Sequence, residues 1–103
     1  MDWKIFMQQI KIEVANSSLD SYVKDWFLNN ALEVPTEGEG VELMNHNQPV
    51  RYKVLTSDKS DYRITYDEKT KKFGFESAAI IDGKIVHQLF HWHDTIVQAV
   101  DFY

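Results

Sequence analysis

Residues 72–92 read KFGFESAAIIDGKIVHQLFHW, two apolar arms joined by Asp82-Gly83. Asp-Gly between apolar arms is the strongest short-range hairpin signal, because both central residues of a type I′ turn need positive φ and this pair tolerates it. Paired outward from that turn without interruption, Ile80 faces Ile85, Ala79 faces Val86, Phe75 faces Phe90 and Phe73 faces Trp92. The aromatic pairs then fall on one face, where they can stack. This hairpin predicts an antiparallel sheet with one apolar side.

Working upstream, Tyr62, Ile64 and Tyr66 alternate along a second strand, and Asp67-Glu68-Lys69-Thr70 makes a tight turn into Lys72. A loop closed between Tyr66 and Lys71 sets Ile64 against Phe73 and Tyr62 against Phe75. Further back, Pro49 favours an extended approach to a strand in which Val50, Tyr52 and Val54 alternate with Arg51 and Lys53. A connection over residues 57–61 puts Val54 opposite Ile64 and Tyr52 opposite Tyr66, whereas a slip by one residue turns the apolar set outward. The expected core face is Tyr52, Val54, Tyr62, Ile64, Phe73, Phe75, Val86, Phe90 and Trp92. The opposite face is mixed, with Ile80, Ile85 and Leu89 beside His87, His91, Glu76, Gly74 and Ala78. Apolar side chains ringed by polar ones mark a contact surface.

Helices flank the strands. Trp3, Phe6, Met7, Ile10 and Val14 follow a helical stripe with Asp2 as its cap, although Ile10, Ile12 and Val14 also alternate. Ser17 and Asp20 have capping-box spacing ahead of a second stripe, Leu19, Tyr22, Val23, Trp26 and Phe27. Pro35, Gly38 and Gly40 stop that helix, leaving a polar connector with a short edge strand at 41–44. Thr95 and Gln98 have the spacing of a capping box, with Ile96, Val97, Ala99 and Val100 turned to the sheet and Phe102 at its edge. The expected fold is one α+β domain over 1–103: helices at about 3–15 and 18–31, an acidic connector at 33–49, an antiparallel meander of three to four main strands at about 50–92, and a helix at about 95–102 packed on the sheet.

Composition narrows the chemistry. With 44% hydrophobic and 14% aromatic residues the 103-residue chain has enough apolar material for one core. It contains no Cys, which removes disulfides, thiolate metal sites and cysteine nucleophiles. The start MDWKIFMQQIK lacks the apolar run of a secretory signal, so the expected location is cytoplasmic, and no stretch approaches a membrane span. Residues 1–49 hold eight acids and three bases, whereas 50–103 hold eight of each, so the net charge of −5 belongs to the N-terminal half. Such a surface repels a phosphate backbone and attracts a basic protein patch.

No reaction centre follows from the residues. Gly38-Glu39-Gly40 puts a carboxylate where a phosphate would sit, and no serine lies on a nucleophile elbow. His91 and His93 share strand parity and lie about 7 Å apart, so with Glu76 across the hairpin they could hold a zinc ion. His87 is about 13 Å from His91 along the strand, too far to join them. A non-catalytic protein with no cofactor is therefore expected, acting as an inhibitor or accessory factor that masks a basic protein surface. Glu33, Glu37, Glu39 and Glu42 would steer the encounter, while Trp26, Ile80, Ile85 and Leu89 would anchor it. The alternatives are a metal-binding or metal-assisted hydrolytic protein built on Glu76, His91 and His93, and a structural homo-oligomer or homodimer that pairs its mixed sheet face.

Overall fold

The computed structural model of the chain describes residues 1–37, 51–56 and 62–103. Two helices, α1 (Trp3–Ala15) and α2 (Ser21–Asn30), precede five strands, β1 (Ala31–Glu37), β2 (Arg51–Thr56), β3 (Tyr62–Asp67), β4 (Lys72–Ile81) and β5 (Lys84–His93). A short helix, α3 (Ile96–Asp101), follows. The strands form one antiparallel meander in chain order, β1-β2-β3-β4-β5, with five members rather than three to four.

The helical period governs the first segment. Asp2 accepts from the Lys4 and Ile5 amides at 3.0 and 3.2 Å, occupying two of the donors that a helix start leaves unpaired. Met7, Ile10 and Val14 are buried while Ile12 is 58% exposed, which strand alternation would not produce. The expected Ser17 box does not form. Ser17 Oγ instead donates to the Val14 carbonyl at 2.6 Å, finishing α1, and α2 begins at Ser21. At the other end the Thr95–Gln98 capping box is complete.

Residues 31–37, expected as the end of α2 and the start of a polar connector, are a strand. Pro35 is tolerated there because β1 lies at the sheet edge, where a missing N–H breaks no ladder. Its pairing is irregular: between Ala31↔Leu55 and Thr36↔Lys53, β1 advances five residues and β2 only two. The expected edge strand at 41–44 lies outside the described residues.

On β2 a register shift between Lys53 and Leu55 puts Leu55, not Val54, opposite Ile64, while Tyr52 meets Tyr66 as expected. The β3–β4 turn has the expected four residues but sits one residue later, between Asp67 and Lys72. Asp67 Oδ1 accepts from the Lys69 and Thr70 amides, and Lys71 closes the turn at φ 59°. The register therefore moves by two residues, to Ile64↔Phe75 and Tyr66↔Phe73, and the apolar face is kept.

The larger correction lies in the quoted hairpin. Asp82 and Gly83 both take positive φ, 52° and 76°, and Ile80 pairs with Ile85 as expected. Between Ala79 and Ile80 the register then slips, leaving Val86 without a partner on β4, so Ala79 meets His87 and Phe75 meets His91. One extra residue reverses the facing of the rest of β5. His91 and His93 turn to the helix side with Phe75 and Phe73, while Phe90 and Trp92 turn to the open side with Glu76 and Gly74. Val86 and Trp92, expected in the core, are 57% and 36% exposed.

Two features accommodate the reversal. Phe90 lies over the bare backbone of Gly74, where a Cβ would come within 2.7 Å of its ring, and Trp92 meets Phe90 edge-on at 4.9 Å. On the inner side Phe102 packs on Phe75, His91 and His93 at 4.7–5.5 Å between ring centroids. The core beneath the helices joins Met7, Ile10, Val14, Val23, Phe27, Ile96, Ala99 and Val100 to Val54, Leu55, Ile64, Tyr66, Phe73 and Phe75. Among the described residues no helix is long and apolar enough to cross a membrane.

Candidate functional site

The register lines up one row across the sheet, Glu37↔Tyr52↔Tyr66↔Phe73↔His93, on the face that carries the helices. Residues three apart on a helix share a face, so α1 lays Trp3 and Phe6 together on this row. Trp3 contacts Tyr52 at 4.3 Å and Tyr66 at 6.2 Å, and Phe6 contacts Tyr66 at 4.6 Å and Phe73 at 6.2 Å. The result is an aromatic seam along the flank of α1. Its Phe73 end opens into a groove of about 240 Å³ between α1, the β3–β4 turn and the start of α3. Phe6, Ile10, Tyr66, Phe73 and Ile96 form the apolar lining, and Gln9, Glu13, Lys71, Asp94 and Thr95 the polar one.

Acids stand at both ends of the seam. At the Tyr52 end, desolvation, the Glu37 and Glu68 carboxylates, and a hydrogen bond to Glu68 hold the Tyr52 phenol above its usual pKa. Burial, Glu68 and Asp67 do the same for Tyr66. Both rings are therefore neutral donors at physiological pH. At the groove end stand Glu13 and Asp94, with Lys71 as the base among the lining residues and Lys72 drawn to Asp94 at 3.8 Å. Electron-rich ring faces bordered by carboxylates suit a cationic side chain. No described group here is arranged as a nucleophile with its base.

The residues singled out from sequence scatter. Glu33 and Glu37 are exposed on β1, Glu33 lying 3.5 Å from Lys4, while Glu39 and Glu42 lie outside the described residues. Trp26 is on α2, stacked flat on Tyr103 at 3.9 Å and edge-on to Tyr62 at 6.2 Å, away from the seam. Leu89 packs against the core. Ile80 and Ile85 pair beside the turn, and their side chains are outside the described set. The site residues missed are Trp3, Phe6, Tyr52 and Tyr66, which the sequence placed on a helical stripe or a strand face without choosing them for the site.

The metal grouping does not assemble. Glu76 sits opposite Phe90 on the open face, 1% exposed, whereas the bulge sends His91 and His93 to the helix face. The two imidazoles are 6.4 Å apart, and among the described residues no group of three or more metal-ligating side chains comes together. His93 has its own consequence. Its buried Nε2 makes no hydrogen bond, and desolvation and then the neighbouring His91 lower its pKa from 6.5, against a smaller opposing pull from Asp94. The unfolded chain thus binds this proton more readily, and His93 makes stability fall as pH drops below about 6.5. In His93→Gln, urea midpoints between pH 7 and pH 5 are expected to decline less steeply than in the parent; identical slopes would show that His93 carries none of the effect.

Comparison of the chain with protein-family models, with curated proteins and with solved structures returns no match.

Proposed function

We propose that the protein is a small non-catalytic binding protein that covers a basic surface on a protein partner, holding an arginine or lysine of that partner against the aromatic seam. The observation that carries this reading is the placement of acids at both ends of one row of rings, Glu37 and Glu68 beside Tyr52, and Glu13 and Asp94 beside Phe73, with Trp3, Phe6 and Tyr52 its part-exposed members. The excess acid of the N-terminal half adds long-range attraction, with Glu33, Glu37, Glu39 and Glu42 speeding encounter. The ring faces supply short-range affinity by cation–π contact. Occlusion of the partner's surface is then the whole mechanism, and no bond is made or broken.

The probe for this reading is an oligo-arginine peptide titrated at low salt, with the three tryptophan indole N–H signals followed by NMR. The Trp3 signal is expected to move, while that of Trp26, stacked under Tyr103, stays fixed. Replacing Glu37 and Glu68 by glutamine should weaken binding by about two- to five-fold per charge, and physiological salt should narrow the difference. A fixed Trp3 signal, or equal binding by the double glutamine variant at low salt, removes the reading.

A further inference from the structure

We propose that Phe102 and Tyr103 form an acid-released latch, closed over His91 and His93 at neutral pH and lifted from the sheet when His93 takes up a proton. α3 is pinned by Ile96, Ala99 and Val100, all fully buried. The two residues that follow it are held differently. Phe102 lies over Phe75, His91 and His93, with ring centroids 5.5, 4.7 and 5.1 Å apart. Tyr103 is stacked flat on Trp26 at 3.9 Å and edge-on to Tyr62 at 5.1 Å. Both remain well exposed, at 42% and 41%, and their amides reach back to the Ala99 and Val100 carbonyls at 3.2 and 3.0 Å. Lifting these side chains breaks ring contacts at the surface and leaves the core in place, which makes a local opening far less costly than unfolding.

The imidazoles beneath couple the latch to pH. His93 Nε2 is buried and has no hydrogen-bond partner among the described residues, so a positive charge on the closed ring meets neither water nor an acceptor there. His91, 6.4 Å away, adds like-charge repulsion when both rings are charged. The other charged groups offset little of this. Asp94 follows on the same strand, but it is exposed and shared with Lys72 of β4 at 3.8 Å. β4 otherwise sets Phe73 and Phe75 against the two histidines and turns Glu76 to the opposite face. α3 contributes Asp101, exposed, one residue before Phe102. Burial accordingly holds the His93 pKa below 6.5, with His91 acting in the same direction and Asp94 against it. With Phe102 moved away, water reaches the ring and the ordinary value returns. Protons therefore favour the open form below about pH 6.5, and a closed midpoint one pH unit below the open one multiplies the open population about ten-fold. Opening uncovers the Trp26 ring one turn along α2 from Tyr22, which is 65% exposed, and so presents an aromatic surface that the closed latch masks.

Two NMR titrations of the whole chain between pH 7 and pH 5 test this. In the first, the Trp26 indole signal is expected to move, as pH falls, toward its position in a Tyr103→Ala variant, while the methyl signals of Val14 and Val100 keep their folded positions. The movement is expected to be lost in His93→Gln. In the second, the midpoint read from the His93 ring protons is expected to rise toward 6.5 in Phe102→Ala, a truncation of a part-exposed side chain that leaves the buried core unchanged. A Trp26 signal that stays fixed, that moves equally in His93→Gln, or that moves only together with the core methyls would overturn the proposal. A His93 midpoint unmoved by Phe102→Ala would do so as well, and that measurement needs no substitution at His93.

Discussion

Phe75→Ala is expected to cost about 3–5 kcal/mol of stability, whereas Trp92→Ala costs about 1 kcal/mol. Phe75 is 1% exposed at the centre of the core and touches Tyr62 and Phe102, so truncation leaves a cavity that its neighbours cannot fill. Domains of this size have about 5–15 kcal/mol in total, and the loss is a large share of it. Trp92 is the larger residue by volume, yet the bulge turns it to the open face, where its ring leans on Phe90. An uninterrupted hairpin would have made the two substitutions comparable. Urea unfolding with a shared m-value measures both, and equal losses would return Trp92 to the interior and eliminate the bulge.

Gly74→Ala is expected to destabilise the parent by about 1–3 kcal/mol and to stabilise a Phe90→Ala variant. Alanine normally improves on glycine in a strand by about 0.5–1 kcal/mol, because less chain entropy is lost on folding. At Gly74 the added methyl would lie 2.7 Å from Phe90 Cζ and 2.9 Å from Thr65 Oγ1. Thr65 is fully buried and its hydroxyl has no partner, so the threonine can turn; the Phe90 ring, in contact with Trp92, must move bodily. Removing that ring vacates the space, and the ordinary preference for alanine returns. A double-mutant cycle by urea denaturation therefore gives a coupling of about 2 kcal/mol with a change of sign. Additive effects would mean that Phe90 does not lie over Gly74.

Much of this architecture is legible in residue order, and the failures have identifiable causes. The Asp82-Gly83 turn, the Thr95–Gln98 cap and the apolar stripe of α1 are local signals that neighbouring residues decide. The bulge is not local in that sense. Either register of the long arms buries some aromatic residues, and the choice rests on where Phe90 can lie and on what α3 covers. Gly74, alone between two phenylalanines in a strand, was the available hint, since an isolated strand glycine marks a close approach or a bulge. β1 was hidden by Pro35, which reads as a breaker until its place at an edge is known. Of the acids that border the candidate site only Glu37 was singled out from sequence, and the meeting of Trp3 with Tyr52 depends on how α1 docks across three strands. No spacing rule reaches that far.

The strand order has a kinetic meaning. Because each strand lies beside its neighbour in the chain, the meander can zip outward from the Asp82-Gly83 turn through short loop closures, without a long-range strand crossing. Beyond the turn, the facing of β5 waits on the contacts that favour one register, Phe90 over Gly74 and Phe102 over His91 and His93. A single slipped residue at Val86 thus fixes which residues reach each surface of the finished protein.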